Sequence, residues 1–335
     1  MVSCHMKQKK FLMIPGKSSL NSSINLFRQS LEIAGFKMTG LVRAKYLILH
    51  WPENIVKGFF SYHALKFVLS LMRLFRKKIV WFVHNRRPHS NKSKYAIKMM
   101  QYLEKKSYKM VILSDGTREV LTLQDKIVKV PHPSYLSLYK PKQELDSPII
   151  NRPIRFLFIG QIRKYKGIDL LLKAFSSVQD KNIQLLVVGS TKMCEKDYER
   201  EILAYASKKI KFDLRFVDDN EFYTIVQNND ILILPYNIKS SLNSGAVIAA
   251  FSCKRTVISP LIPTLQEYED KSFFYSYIYE NDEQHIEALK QQIQKVIEDV
   301  KIDKNILIKK GETALASVEE NNSLEVVAEA FKGII

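Results

Sequence analysis

Short runs of apolar residues alternate with amphipathic helical patterns along almost the whole chain. In the first half, apolar runs at 11–14, 46–49, 79–84, 110–113 and 127–130 have the length of buried strands. Patterns with helical periodicity lie between them, for example at 24–34 and 95–105. This alternation predicts an α/β fold in which a parallel sheet is covered by helices on both faces.

The alternation stops between residues 139 and 153, where three prolines and mixed charges leave little periodicity, and we interpret this segment as a linker. The pattern then begins again, with predicted strands at 155–159, 184–188, 213–217, 231–234 and 256–258. Helices are predicted between them at 168–178, 198–210 and 221–228. We therefore predict two Rossmann-like, doubly wound domains, 1–145 and 146–335, which face a cleft with the carboxyl ends of their strands. The last helix is expected to pack back on the N-terminal domain.

The positive charge of the chain is concentrated in one half. Residues 1–150 contain 27 Lys and Arg against 8 Asp and Glu, a net charge of +19, whereas the remaining residues carry −1. Such an imbalance is typical of a domain that meets polyanions: nucleic acid, anionic lipid head groups or a phosphorylated substrate. The alternative is a basic surface that serves solubility alone.

Several classes of protein are excluded or disfavoured by the sequence. The three cysteines are far apart, so neither a disulfide framework nor a zinc site is expected. No apolar run has the length of a membrane span or of the core of a signal peptide, and a cytoplasmic protein, soluble or peripheral on the inner face of the membrane, is expected. No helix-turn-helix, zinc or aromatic RNA-binding motif is present, so nucleic acid is not an expected partner.

A basic loop joins a predicted strand to a predicted helix in the second half. Residues 156–175 read FLFIGQIRKYKGIDLLLKAF, in which the strand ends at Gly160 and the helix begins near Gly167. A strand-to-helix turn offers backbone N–H groups and the positive end of a helix to an anion. Arg163 and Lys166 add two cations, enough to neutralise a diphosphate. The alternative is that both are solvated loop cations.

This segment resembles the signature of family 4 glycosyltransferases of the GT-B fold, in the variant G-x-I-R-x-Y-K-G. Residues 230–250 are similar to the second donor-binding segment of that family, with Asn243-Ser244-Gly245 at the start of a helix. The resemblance covers residues 152 to about 263. It implies a nucleotide diphosphate sugar as donor substrate, no separate cofactor, and a donor site formed by Gly160, Gln161, Arg163, Lys166, Asn243, Ser244 and Gly245.

The chain also departs from the family pattern. Many members carry two glutamates eight positions apart in the second segment, and the matching positions here are Ser241 and Ala249. The usual arginine after the glycine of the first motif is replaced by Gln161, with Arg163 as its nearest substitute. Binding of the diphosphate is compatible with these differences, whereas recognition of the sugar and the ribose must differ.

In the basic half, three histidines follow predicted strand ends, where an open sheet binds its ligands: His50, His84 and His132. His84 resembles the family histidine that reaches the donor sugar, and we predict a catalytic role for it beside Arg163 and Lys166. His50, Asn85 and Glu53 are acceptor-side candidates, with Glu53 as general base if the reaction inverts configuration. Structural roles for these residues remain open, and for Glu53 a surface carboxylate after a turn is an equal alternative.

Residues 59–78 are mostly apolar with interspersed cations and end on Arg76-Lys77-Lys78. This pattern suits a helix in a membrane interface whose basic residues meet lipid phosphates, and it equally suits a core helix between two strands.

The sequence thus predicts an enzyme that transfers a hexose from a nucleotide sugar to a lipid-linked or polysaccharide acceptor. The resemblance implies retention of configuration. No aspartate has another two positions away, so a metal-independent reaction is expected, with Arg163, Lys166 and helix-start amides in the role of the ion. The alternative is a catalytically idle GT-B subunit that binds sugar nucleotide or scaffolds a partner, as the missing glutamates would allow.

Overall fold

The computed structural model describes residues 9–16, 21–86, 93–139, 147–192, 194–239 and 241–334. Within these residues the chain divides into two compact units. The first runs to Pro133 and resumes at Asn321, and the second is Ser134–Glu320. The linker was predicted at 139–153, but the structure ends the first unit earlier, because Tyr139 stacks on Phe222 and the Tyr135 N–H donates to Ser252, both in the second unit.

The first unit is built on six parallel strands in the order β2-β1-β3-β4-β5-β6. The strands are β1 Lys9–Ile14, β2 Phe36–Met38, β3 Tyr46–His50, β4 Lys78–Phe82, β5 Lys109–Ile112 and β6 Ile127–Lys129. Its helices are α1 Ser22–Ile33, α2 Phe59–Leu74, α3 Lys94–Lys106 and α11 Leu324–Phe331. The helix α11, near the end of the chain, packs on α1.

Both faces of this sheet are covered, as the continuous apolar runs predict. Alternate residues of β3 enter different cores: Ile48 packs with Phe27 and Phe331 on one side, and Leu47 packs with Met99 on the other. In the fully buried strand β3, every residue from Tyr46 to His50 is inaccessible to solvent. The rigid sheet therefore fixes the positions of the polar residues that follow β3 and β4.

The second unit has its own six parallel strands, in the order β12-β11-β10-β7-β8-β9. They are β7 Ile154–Ile159, β8 Ile183–Val188, β9 Ile210–Asp213, β10 Ile231–Ile233, β11 Thr256–Pro260 and β12 Tyr275–Tyr277. The helices are α4 Ile168–Ser177, α5 Lys196–Leu203, α6 Asp219–Gln227, α7 Gly245–Ser252, α8 Pro263–Gln266, α9 Asp282–Ile302 and α10 Ile306–Asn322. The predicted fold class, two doubly wound parallel α/β sheets, is confirmed.

The strand order locates the crevice of the second sheet. From β7 the chain adds β8 and β9 on one side and then returns to add β10, β11 and β12 on the other. The switch lies between β7 and β10, and ligands of open α/β sheets bind outside the carboxyl ends of the strands at this point. The loops after β7 and β10 are the two segments that the sequence singled out.

One predicted strand was misplaced. The strand at 213–217 lies instead at Ile210–Asp213, and the predicted helix before it ends at Leu203. The residues beyond β9 form a loop, in which Leu214 packs against the core and the side chain of Phe216 is 69% exposed. An apolar residue can lie at the surface, and composition alone did not distinguish this loop from a strand.

Candidate active site

The loop after β7 turns sharply before it reaches α4. Gly160 has a φ of +153°, and Arg163 is extended at the start of a single 3₁₀ turn, Lys164–Lys166. The chain then passes through Gly167, at φ +69°, into α4. The side chain of Ile162 is buried and anchors the loop. This anchored turn places Arg163 and Lys166 three residues apart at the amino end of α4.

Gly167 lies in direct contact with the loop that follows β10. A Cβ atom at this position would stand 2.2 Å from the carbonyl oxygen of Pro235. Its left-handed backbone conformation also favours glycine. The two loops of the predicted donor site therefore touch at a point where no side chain fits.

Lys166 is a partly buried cation that lies between aromatic rings. Its Nζ lies 4.4 Å from the ring centroid of Tyr236 and 5.3 Å from that of Tyr165. Burial lowers the pKa of Lys166 to about 8. Among the described residues no carboxylate forms an ion pair with it. Desolvation without a counter-charge is unfavourable to the ammonium form, and an anion bound beside it would relieve that cost.

The second loop leads to the amino end of α7, where Ser244 is the N-cap. Its hydroxyl accepts a hydrogen bond from the N–H of Val247 at 3.2 Å and donates one to the Tyr236 hydroxyl at 3.0 Å. The N–H of Ser244 donates to Thr264 Oγ1 at 2.9 Å. Ser244 thus positions the helix with groups that are already engaged, and Asn243 and Gly245 lie on either side of it at the helix start.

The two positions at which relatives carry glutamates offer no carboxylate. Ala249 lies inside α7 with 4% of its surface exposed, and Ser241 donates its N–H to the carbonyl of Asn237. Among the described residues, no acidic side chain lies in the first turn of α7.

A pair of aromatic residues that the sequence analysis missed braces the second loop. The Tyr279 hydroxyl donates to the carbonyl of Tyr236 at 2.9 Å and accepts the N–H of Ile238 at 2.9 Å. The Tyr279 ring stacks on His285 at 4.0 Å between centroids, and His285 Nε2 lies 2.8 Å from the Tyr277 hydroxyl. Burial lowers the pKa of His285 to about 4, so the ring is neutral. In the sequence, the brace is visible only as the aromatic run Tyr275–Tyr279, and such a run indicates a buried core segment.

In the first unit, two of the predicted histidines are in direct contact. His50, the last residue of β3, and His84, just beyond β4, are joined by a 2.9 Å hydrogen bond between Nδ1 and Nε2 respectively. Burial lowers the pKa of His84 to about 3, with a smaller contribution from His132, and lowers that of His50 as well. Both rings are therefore neutral at neutral pH, with one as donor and the other as acceptor.

Trp51 fixes the orientation of His84. The indole stacks on the imidazole with centroids 4.1 Å apart and planes 21° apart. Trp51 has a φ of +50°, an unfavourable conformation for a bulky residue, which persists where surrounding packing enforces it. The sequence pattern showed this residue only as part of a turn.

Glu53 and Asn85, both acceptor-side candidates, form a buried pair. The Asn85 amide donates to Glu53 Oε1 at 3.1 Å, and Glu53 Oε2 is buried without a hydrogen-bond partner among the described residues. Burial raises the pKa of Glu53, while its own backbone N–H and Asn85 partly oppose the shift. The prediction of a surface carboxylate after a turn is wrong, since Glu53 is 2% exposed.

His132, the third histidine, packs edge-on against Phe27, the ring that also contacts His50. Its Nδ1 lies 2.9 Å from the carbonyl oxygen of Pro133, and burial lowers its pKa to about 4. The structure thus gathers all three histidines, Glu53 and Asn85 at the carboxyl edge of the first sheet. The described residues contain no group of three or more His, Cys, Asp or Glu arranged to hold a metal ion.

The fold and these two loops define a class of protein. Over 97% of this chain the structure matches Anabaena HepE, solved in complex with UDP and glucose, with a TM-score of 0.72, 11% identity and 98% of that chain covered. A glycosyltransferase from Rickettsia africae matches with a TM-score of 0.67 and 15% identity, over 98% of this chain and 99% of the other. These likenesses show the GT-B fold.

The sequence of the second unit is similar to a known family. Residues 153–299 match the family model described as Glycosyl transferases group 1. The resemblance inferred from the two loops is confirmed. A GDP-mannose:glycolipid 4-beta-D-mannosyltransferase of Xanthomonas campestris pv. campestris is 24% identical over 233 residues, which cover 67% of this chain. The match spans 64% of the length of that relative.

Proposed function

We propose that this protein is a glycosyltransferase that moves a hexose from a nucleoside diphosphate sugar to a lipid-linked or polysaccharide acceptor. The observation that carries the proposal is Lys166, a partly buried cation with no ion-pair partner among the described residues, in the crevice between β7 and β10. A diphosphate is the anion that leaves when a sugar is transferred from such a donor. A diphosphate bound here would supply the negative counter-charge that Lys166 lacks among the described residues.

In this proposal the negative charge of the leaving group is stabilised by the protein alone. Arg163 and Lys166 belong to the loop after β7, and Asn243 and Gly245 belong to the loop after β10 at the amino end of α7. Preorganised cations and helix-start N–H groups act strongly where water is excluded. We therefore propose a metal-independent reaction, with Ser244 as a positioning residue for α7.

On the acceptor side we assign His84 to the reacting sugar, with His50 and Trp51 holding its ring. The family resemblance supports retention of configuration. The alternative is an inverting reaction in which Glu53 accepts the proton of the acceptor hydroxyl. That alternative is favoured by the raised pKa and the unpartnered Oε2 of Glu53, because a general base needs a pKa near the working pH and a free lone pair.

The substrate classes are supported by proteins similar to this one. The Xanthomonas relative is named for GDP-mannose and a glycolipid, and the Anabaena structure holds UDP and glucose. A nucleoside diphosphate hexose is accordingly the proposed donor, and a lipid-linked saccharide is the leading acceptor.

A lipid-linked acceptor requires access to a membrane, and α2 offers a surface for it. Leu69 is the one residue of α2 that is fully buried. Exposed aromatic residues include Phe60 at 86% and Phe67 at 68%, with Phe75 just beyond the helix. Apolar side chains next to cations suit the interface of an anionic bilayer. In the described residues no helix is both long and apolar enough to cross a membrane, and we propose peripheral docking through α2.

The direct test is a transfer assay with a panel of UDP- and GDP-hexoses and short-chain lipid-linked saccharides, with the product anomer read by NMR. A product with the donor's anomeric configuration supports retention, and the opposite anomer supports the role of Glu53. Binding of a nucleoside diphosphate without transfer or hydrolysis of any donor would support an idle subunit and contradict the enzyme.

A further inference from the structure

A cavity of about 430 Å³ lies in the first unit between β4, α3 and the segment that follows β5. Its volume is that of a pocket for a small ligand or a short chain. The apolar part of its wall is formed by Trp81, Val83, Ile97, Met100, Val120 and Leu121. This cavity adjoins the candidate active site and shares Asn85 with it.

Polar groups line the cavity where the chain leaves β4. Asn85, which holds Glu53, and Arg86 both contribute to its wall. The carboxylate of Glu104 lines it too, but its Oε1 accepts hydrogen bonds from the Thr122 hydroxyl at 2.6 Å and from the Leu123 N–H at 3.2 Å. Glu104 is thus committed to the protein, and the cavity keeps a cation at its polar end.

Two buried donors at this cavity lack partners. The indole Nε1 of Trp81 and the guanidinium Nε of Arg86 are inaccessible and make no hydrogen bond to any described residue. The acidic side chain that approaches Arg86 is Glu119, at 3.6 Å, which is itself 74% exposed. Neither atom is accessible, so a ligand in the cavity would contact Arg86 through the rest of its side chain, which is 31% exposed.

We propose that this cavity binds the lipid phosphate part of the acceptor, with an apolar chain among Met100, Ile97 and Leu121 and a phosphate at Arg86. The inference rests on the transferase function proposed above and names the residues that recognise its acceptor. An apolar enclosure with one cation at its end matches a single chain that carries an anionic head. Asn85 and Glu53 then lie next to the head group, on the side of His84.

The helix α3 forms one wall of the cavity and also packs on α2. The contact with α2 is made through the Tyr95 ring, whose centroid lies 6.0 Å from that of Phe59, and through a 2.8 Å hydrogen bond between Ser70 and Tyr102. Ile97, which lines the cavity from a different face of α3, is 42% exposed. The rim of the cavity at Ile97 is therefore open to solvent.

The test is calorimetric titration of the full chain with dodecyl phosphate below its micellar concentration. Dodecyl phosphate should bind, inorganic phosphate should not, and dodecyltrimethylammonium should bind at least about tenfold more weakly, because its head group repels Arg86. Met100→Trp, which fills the cavity, and Arg86→Gln, which removes the cation, should each weaken binding about tenfold or more. Met100→Leu, which keeps the volume, should stay within about twofold.

Nucleoside diphosphate binding serves as the folding control for each variant, since its residues lie in the other unit. If Met100→Trp does not fold, Ile97→Trp at the exposed rim replaces it. Unchanged affinity for dodecyl phosphate in a folded filling variant would overturn the proposal. Dihexanoyl phosphatidylglycerol bound as tightly, with the same sensitivity to filling, would identify a membrane lipid site and overturn the acceptor assignment. Failure of every nucleotide sugar to bind would overturn the transferase function but would leave the dodecyl phosphate result standing.

Discussion

The ammonium group of Lys166 lies over the ring of Tyr236, with Nζ 4.4 Å from the centroid. The contact joins the loop after β7 to the loop after β10, the two segments that flank the crevice of the second sheet. A cation over an aromatic face is stabilised by about 0.5–2 kcal/mol. This stabilisation is smaller than the free-energy cost of removing the ammonium group from water. The lowered pKa of Lys166, about 8, is the result.

Donor affinity should therefore depend on pH. A bound diphosphate favours the protonated form of Lys166 and raises its pKa, so binding above pH 8 requires uptake of a proton. Affinity should be constant below about pH 7.5 and should fall by up to tenfold per pH unit above the free pKa of about 8. Calorimetry in buffers of different ionisation enthalpy would measure the proton uptake, and none at pH 9 would contradict the assignment.

Gly167→Ala should destabilise the second unit. The new Cβ would stand 2.2 Å from the Pro235 oxygen at a φ of +69°. Backbone strain alone costs about 1–3 kcal/mol, and the clash must separate the two loops. Thermal unfolding should show a lower Tm together with weaker donor binding. Gly40→Ala, whose Cβ would meet nothing within 4 Å, is the matched control and should leave both unchanged.

Transfer activity should survive excess EDTA. The proposed site stabilises the diphosphate with Arg163, Lys166 and helix-start N–H groups, which chelation does not remove. The assay is the rate of sugar transfer before and after dialysis against EDTA. A rate that disappears and returns only with added Mg²⁺ or Mn²⁺ would show that the electrostatic account is wrong.

Membrane docking should require both the aromatic and the basic residues of the α2 surface. Phe60→Ser with Phe67→Ser, or Arg73→Glu with Arg76→Glu, should release the protein from phosphatidylglycerol vesicles in a sedimentation assay. Each cation near an anionic surface contributes about 1 kcal/mol, so wild-type binding should also fall steeply with salt. Lys77 is left intact, because its ammonium binds the carbonyls of Val42 and Ala44.

Docking on neutral vesicles as strong as on anionic ones would contradict the role of the cations. An oligonucleotide bound tightly at the same ionic strength, with no vesicle binding, would instead favour a nucleic-acid partner for the +19 charge of residues 1–150.

The sequence was sufficient to predict the fold and the strand-to-helix turn after β7, because both signals are local. Strand period, helix period and a strand-to-helix turn at Gly160–Gly167 all appear within twenty residues. It could not show that Tyr279 and His285 brace the loop after β10, because Tyr279 contacts residues some forty positions before it. For the same reason the pairing of Glu53 with Asn85 and the left-handed turn at Trp51 were not predictable. Whether Ser244 binds a ligand or caps α7 is likewise decided by its contacts with Tyr236 and Thr264, eight and twenty positions away.

The central claim, that Lys166 and Arg163 hold the donor diphosphate, is tested most directly by calorimetric titration of single variants with UDP and GDP. Loss of a charge-assisted contact costs about 1.5–3 kcal/mol, so Lys166→Ala and Arg163→Ala should each weaken binding roughly 10- to 150-fold. Arg163→Lys should also be impaired, since a point charge does not replace a planar fork towards phosphate. Lys164→Ala, an exposed cation in the same turn, is the control and should stay within about twofold. Unchanged affinity in both Lys166→Ala and Arg163→Ala would contradict the account.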